Sequence, residues 1–185
     1  MFSGGLDSTA MFWRLINGGS ELHVHHLYLV NKENRARAEN RAVKQIVERM
    51  REVRNFGFSE SYHEYPCYNK NFMWDSDIFS FMAGSICLSM KSIREVAVGM
   101  TASDMRGGLS ERVERANKIF DAFGSKAKKV YPLMDMTKKQ VWDSLPEDLR
   151  NMSWSCRTPL YEGDEIKKCG KCRTCREIES IISPK

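Results

Sequence analysis

The chain has 185 residues, a formal net charge of +5 and 42% hydrophobic residues. This size and composition suffice for the core of one domain with a small appendage, which excludes an intrinsically disordered protein. No apolar run approaches the roughly 18 residues of a membrane span, and we expect no signal peptide before the first motif. We therefore expect a soluble, cytoplasmic protein whose cysteines are thiols or metal ligands.

Helix and strand patterns alternate along the chain. We predict helices over 8–17, 34–54, 75–92 and 109–123, a short helix from the Thr137 cap to Leu145, and strands over 22–30, 61–65, 95–100 and 129–131. This alternation indicates an α/β fold with a doubly wound parallel sheet, whose ligand lies beyond the carboxyl ends of the strands. The expected division is an α/β domain over 1–150 and a cysteine-containing segment over 151–185.

The first motif is the string S-G-G-L-D-S at residues 3–8, directly before the first helix. Adjacent glycines allow a tight turn whose N–H groups converge on an anion, and the helix dipole has its positive end there. The hydroxyls of Ser3 and Ser8 add donors, and the carboxylate of Asp7 suits Mg²⁺. The spacing is not that of a Walker A loop. It predicts a pyrophosphate cradle, and the alternative is an ordinary turn in which Asp7 or Ser8 caps the helix.

Four cysteines near the C-terminus have the spacing C-x₁₂-C-x₂-C-x₂-C: Cys156, Cys169, Cys172 and Cys175. Two overlapping C-x-x-C turns bring three thiolates together, and a loop supplies the fourth. Such a set favours a closed, structural Zn²⁺ site. An iron–sulfur cluster and a redox dithiol are the alternatives. Cys67 and Cys87 lie outside the set, and Cys87 is expected in the core.

These motifs together resemble one family. The string at 3–8 resembles the PP-loop of the ATP pyrophosphatase superfamily, whose members cleave ATP between the α- and β-phosphates. With the four-cysteine segment, it resembles the 7-cyano-7-deazaguanine synthase family. The resemblance extends to the loop at 99–107, of the form G-x-x-x-[ST]-D-x-x-G, and to Pro132-Leu133-Met134 followed by Lys138.

The resemblance implies an activity and the residues that perform it. The family activates 7-carboxy-7-deazaguanine with ATP and uses ammonia to reach the amide and, after a second activation, the nitrile. ATP, Mg²⁺ and Zn²⁺ are the implied cofactors, a homodimer is common, and no nucleic acid or membrane partner is expected. By position, the phosphates and Mg²⁺ are held by Ser3, Gly4, Gly5, Leu6, Asp7 and Ser8, with Asp7, Ser8 and Lys138 catalytic. Gly99 and the backbone near Val30 flank adenine, and Asp104 faces the deazaguanine.

Two features depart from the family pattern. Where the family has P-G-R-N before its middle helix, this chain has Trp74-Asp75-Ser76-Asp77, so an acid stands where an arginine is expected. We expect weaker binding of a carboxylated base unless Arg106 or Lys70 compensates. Only Met1 and Phe2 precede the loop, where the family has a central strand. We expect a start upstream or a truncated start, with unpaired edges on the neighbouring strands.

Two other functions remain as alternatives. One is a PP-loop tRNA-modifying enzyme, such as a thiolase or a lysidine-type ligase, for which the basic helix at 34–54 is the only candidate RNA-binding segment. The other is a non-catalytic nucleotide-binding module that retains the fold, which the two departures favour. The sequence leaves open whether the product is the nitrile or the amide.

Overall fold

The computed structural model describes residues 1–65, 74–105 and 110–183. Its helices are α1 (Leu6–Asn17), α2 (Ala36–Arg51), α3 (Asp75–Ser89), α4 (Ala102–Met105), α5 (Ser110–Asp121), α6 (Lys138–Asp143), α7 (Glu147–Met152) and α8 (Arg173–Ile182). Its strands are β1 (His23–Val30), β2 (Gly57–Glu64), β3 (Glu95–Ala97), β4 (Lys128–Val130), β5 (Leu160–Glu162) and β6 (Glu165–Lys167). In the part of the chain that the structure describes, no helix is long and apolar enough to cross a bilayer.

The strands form three pairs. β1 lies parallel to β2, in a register that places His23 beside Gly57 and Val30 beside Glu64. β3 lies parallel to β4, and β5 pairs with β6 as an antiparallel hairpin. The parallel pairs carry the crossover helices that such connections require. The fold is therefore mixed α/β, with small parallel sheets followed by a cysteine-containing segment.

Helices cover both faces of the β1–β2 pair. Alternate residues of a strand point to opposite faces. Val24 belongs to the core formed with α1 and α2, whereas Leu27 and Leu29 pack with Ile78 of α3. The carboxyl end of β1 therefore opens between these two helical layers.

Phe2 takes the place of a strand beside β1. It forms an isolated parallel bridge with His26, and its N–H donates to the His25 carbonyl at 2.8 Å. The His26 ring nitrogen Nδ1 donates to the Phe2 carbonyl at 3.0 Å. A groove of about 570 Å³, lined in part by His23 and Val96, lies between the two parallel pairs. Phe2 thus fixes where the following loop starts.

Most of the predicted elements are present, with shifted ends. α1 begins two residues earlier than predicted, β2 is longer than the predicted 61–65, and α2 and α3 are shorter. The predicted cap of α6 is confirmed, because the Thr137 hydroxyl accepts from the Gln140 N–H at 3.2 Å. The sequence patterns did not predict α4, α7, α8 or the β5–β6 hairpin. The start of α7 could have been predicted from the sequence, because Pro146 is followed by two acidic residues there.

Candidate active site

The string at residues 3–8 forms a tight loop that enters α1. Gly4 has φ +70°, and a Cβ there would lie 3.1 Å from both Cγ2 and the backbone nitrogen of Val43. Only glycine suits both the left-handed backbone and this close approach to α2. Gly5 precedes the first helical residue, so the first N–H groups of α1, which have no partner within the helix, lie at this turn.

The hydroxyls of the loop are held by the loop itself. Ser3 Oγ lies 3.1 Å from Ser8 Oγ and accepts from the Gly5 N–H at 3.4 Å. Ser8 Oγ donates to the Gly5 carbonyl at 3.0 Å. The structure thus brings together the serines and glycines that the sequence assigned to the phosphates.

Asp7 and Lys138 meet next to this loop. Lys138 Nζ, from the first residue of α6, donates to Asp7 Oδ2. The other oxygen, Oδ1, is buried with no hydrogen-bond partner among the described residues. Burial raises the pKa of the Asp7 carboxyl, and the Lys138 ammonium opposes that rise. A buried carboxylate oxygen without a partner fits a ligand of Mg²⁺, a hard cation that prefers such oxygens.

The loop after β3 packs against the start of α1. A Cβ on Gly99 would lie 3.3 Å from the carbonyl carbon of Asp7 and from the nitrogen of Ser8, so a side chain there would press on the loop. Asp104 lies further along, and its Oδ2 accepts from the Thr101 N–H at 2.9 Å and the Thr101 hydroxyl at 2.8 Å. One oxygen of Asp104 is therefore used to close its own turn.

Val30 is the last residue of β1 and lies at the same edge of the sheet as these loops. Its carbonyl accepts the Tyr65 N–H at 3.2 Å, so this backbone group is already paired in the sheet. Beyond it, Arg35 contacts the carboxylates of Glu39 and Asp75. Burial raises the pKa of Glu39 to about 7, against the attraction of Arg35.

Arginines of the described chain neutralise both acids at the start of α3. Asp75 is bound by Arg35, and Asp77 by Arg115 from α5. The Arg115 guanidinium also lies 4.0 Å above the Trp74 ring, and Arg112 Nε donates to Ser76 Oγ at 2.9 Å. Cys67, Lys70, Arg106 and Gly107, which the sequence analysis named, lie outside the described residues.

Two residues beside the loop were not assigned to it from the sequence. The Trp154 N–H donates to the Gly4 carbonyl at 2.8 Å, and Ser155 Oγ accepts from the Leu6 N–H at 3.0 Å. The only available signal was their position next to Cys156. The segment that carries the cysteines thus holds the loop at both ends of its turn.

The four predicted metal ligands converge. The Sγ atoms of Cys156, Cys169, Cys172 and Cys175 all lie within 4.8 Å of one another. Tetrahedral Zn²⁺ with bonds of about 2.3 Å places its sulfurs about 3.8 Å apart, so a small closure of this cluster would bind the ion. Cys87 is buried elsewhere, as expected.

The chemistry of the four thiols suits a cation. The Thr158 hydroxyl lowers the pKa of Cys169 to about 6, whereas burial raises the pKa of Cys156 and brings that of Cys175 to about 12. All four groups can be thiolates at once only with a positive ion among them, because like charges this close repel one another. Backbone N–H groups of Cys169 and Cys172 already donate to cluster sulfurs at 3.3 Å. The donor set fits a divalent metal such as zinc.

Comparison with protein-family models identifies the family of the chain. The model of the queuosine biosynthesis protein QueC matches residues 76–180, which is more than half of the chain. The matched span contains the loop after β3, Lys138 and all four cysteines, and it begins after the loop at residues 3–8. No curated protein sequence matches the chain. The resemblance given by the motifs is confirmed at this level, and the chain belongs to the QueC family.

Proposed function

We propose that this protein is an ATP-dependent amidating ligase that converts 7-carboxy-7-deazaguanine with ammonia to 7-cyano-7-deazaguanine or its amide. Membership of the QueC family supports the pathway. The loop at residues 3–8 supports the use of ATP. The proposal includes a doubly wound PP-loop fold, with the α/β part over 1–150 and a Zn²⁺-binding segment over 151–185.

The arrangement around Asp7 is the observation that carries the proposal. The Gly4–Gly5 turn, the amino end of α1 and the Lys138 ammonium converge at one place, and Asp7 there keeps an unpartnered buried oxygen. Convergent N–H groups, a helix amino end and a cation are what a polyphosphate requires. Asp7 would hold Mg²⁺, which neutralises phosphate charge when it is bound.

The chemistry needs positioning more than acid–base catalysis. A carboxylate oxygen of the deazaguanine acid attacks the α-phosphorus, the bond to the β-phosphate oxygen breaks, and pyrophosphate leaves. Ammonia then attacks the acyl carbon, and AMP leaves with one carboxylate oxygen to give the amide. The nitrile requires a second ATP: the amide oxygen attacks its α-phosphorus, pyrophosphate leaves, and AMP departs with that oxygen as the C≡N bond forms and the amide nitrogen loses its protons. Ser3, Ser8 and the loop N–H groups would orient the phosphates, and Lys138 would offset the charge that develops on them. Ammonia is itself a sufficient nucleophile for an acyl adenylate.

We assign the deazaguanine acid to the part of the site that is formed by the loop at 99–105. Gly99 and the backbone near Val30 would flank adenine. Asp104 keeps one oxygen, Oδ1, beyond its bonds to Thr101, and that oxygen could accept from the N–H edge of the deazaguanine. The paired acids Asp75 and Asp77 repel a carboxylated ligand less than free acids would, because arginines bind both.

Incubation with ATP, Mg²⁺, ammonium and 7-carboxy-7-deazaguanine tests the proposal. We expect AMP, pyrophosphate and a product whose mass identifies the amide or the nitrile, with no AMP when the acid is omitted. Binding of ATP without AMP formation would contradict this substrate and favour a non-catalytic nucleotide-binding module. Failure to bind ATP would contradict the proposal as a whole.

A further inference from the structure

The segment before Cys156 is attached to the phosphate loop by two hydrogen bonds. The Trp154 N–H binds the Gly4 carbonyl at 2.8 Å, and the Leu6 N–H binds Ser155 Oγ at 3.0 Å. Leu6 is the first residue of α1, so its N–H has no partner within the helix. Ser155 therefore pairs a donor at the helix start that the helix itself leaves without a partner.

The same segment is attached to the cysteine cluster. Trp154 Nε1 donates to the Cys156 carbonyl at 3.1 Å, and Cys156 is only 2% exposed. Cys156 Sγ accepts the Cys169 N–H at 3.3 Å, which is a weak bond to sulfur. A metal on four thiolates would fix Cys156 far more firmly, and Ser155 is its direct neighbour in the chain.

Ser155 retains a donor that points to a ligand role. Its oxygen accepts from Leu6, and its hydroxyl hydrogen has no acceptor among the described residues. A hydroxyl in this state can accept from the helix N–H and donate to a phosphate oxygen at the same time. The loop thus gains a phosphate donor that the S-G-G-x-D-S string does not contain.

We infer that Ser155 donates to a bound phosphate and couples the four-cysteine site to the phosphate loop, so that a metal on the cysteines raises the affinity for nucleotide. The inference rests on the nucleotide-binding role proposed above. The metal acts through Cys156, and Ser155 transmits the effect to the amino end of α1.

Nucleotide binding to the metal-loaded full chain tests the coupling. By calorimetry with ATP and Mg²⁺, we expect Ser155→Ala to raise Kd about tenfold, as the loss of one hydrogen bond predicts. Ser155→Thr keeps the hydroxyl and should stay within about threefold of wild type. Ser153→Ala is the matched control, because the Ser153 hydroxyl binds the Leu149 carbonyl and not the loop. All variants should retain the wild-type metal content.

Removal of the metal is the second part of this experiment. Chelation should raise the Kd of the wild type by at least the same factor and should leave little difference between wild type and Ser155→Ala. Without nucleotide, hydrogen exchange of the Leu6 amide should become about tenfold faster in Ser155→Ala and in the chelated wild type.

Equal Kd values for metal-loaded wild type and Ser155→Ala would overturn the inference. A Leu6 amide exchange rate that neither Ser155→Ala nor chelation alters would also overturn it. A metal-loaded wild type that binds no ATP would contradict the proposed function instead. In that case, the Leu6 exchange rates still decide for or against the coupling.

Discussion

The phosphate side and the α3 side of the site are built in different ways. We define the phosphate side, named for the phosphate binding proposed above, as residues 3–8 with Lys138, Trp154 and Ser155, and the α3 side as Trp74–Asp77 with Arg35 and Arg115. On the phosphate side, backbone N–H and carbonyl groups carry most of the contacts. On the α3 side, guanidinium–carboxylate pairs between distant elements carry them.

The difference separates a general from a specific task. Backbone groups at a helix start suit any polyphosphate, because neither glycines nor N–H groups depend on the rest of the ligand. Paired side chains can be exchanged one at a time, so under the proposed function the α3 side could change its ligand preference without loss of the loop. The departure from the family pattern at Trp74–Asp77 falls on this second side.

The largest effect should follow from removing the metal support of the phosphate side. Cys172→Ser should lower the metal content and destabilise residues 151–183, because structural zinc supplies roughly 10 kcal/mol or more in small cysteine sites. Elemental analysis and thermal unfolding measure both effects. Cys87→Ala, a buried cysteine outside the cluster, should retain the metal. Full metal content in Cys172→Ser, or iron with labile sulfide in wild type, would contradict the zinc assignment.

Breaking the ion pair on the α3 side should have the next largest effect. Arg115→Met leaves the carboxylate of Asp77, which is 9% exposed, without its cation, so we expect about 3 kcal/mol less stability in urea unfolding. Adding Asp77→Asn should recover much of that loss. Lys118→Met removes an exposed pair with Glu114 on the same helix and should change stability by less than about 0.5 kcal/mol. Equal effects of the two variants would contradict the role of Asp77.

Asp7→Asn should reduce AMP formation while the fold persists. Loss of a charged contact to the metal or the phosphates costs about 1.5–3 kcal/mol, which is an effect of about 10–150-fold. Asp143→Asn is the matched control on α6, since it removes only an exposed pair with Lys139. Wild-type rates of AMP release from Asp7→Asn would contradict the placement of the phosphates.

Glu39 should make stability depend on pH. Because its pKa is raised to about 7 in the folded chain, the folded state binds more protons than the unfolded state between about pH 4.5 and 7. Stability should therefore fall as pH rises through this window, by about 2–3 kcal/mol from this group. Glu39→Gln should remove that part of the pH dependence in urea unfolding at pH 5 and 7. If the stability of Glu39→Gln depended on pH as that of the wild type does, a buried Glu39 that is protonated below its raised pKa would be contradicted.

The contrast between the two sides also marks what the sequence could predict. The loop at 3–8 and the cysteine spacing are local patterns. In the structure, the loop residues lie close to one another, and so do the four cysteines. Ser155 lies 149 residues from Leu6, so no local pattern reveals their contact. Arg35 and Asp75 are 40 residues apart, and Arg115 and Asp77 are 38 apart. Such pairs depend on which helix faces which, and periodicity does not give that information.

The most direct test of the central claim follows the carboxylate oxygen. The metal-loaded protein is incubated with ATP, ammonium and 7-carboxy-7-deazaguanine labelled with ¹⁸O in its carboxylate, and the nucleotide products are analysed by mass. Attack of the carboxylate on the α-phosphorus predicts one labelled oxygen in AMP and none in pyrophosphate. Unlabelled AMP, or label in inorganic phosphate with release of ADP, would contradict an acyl-adenylate route.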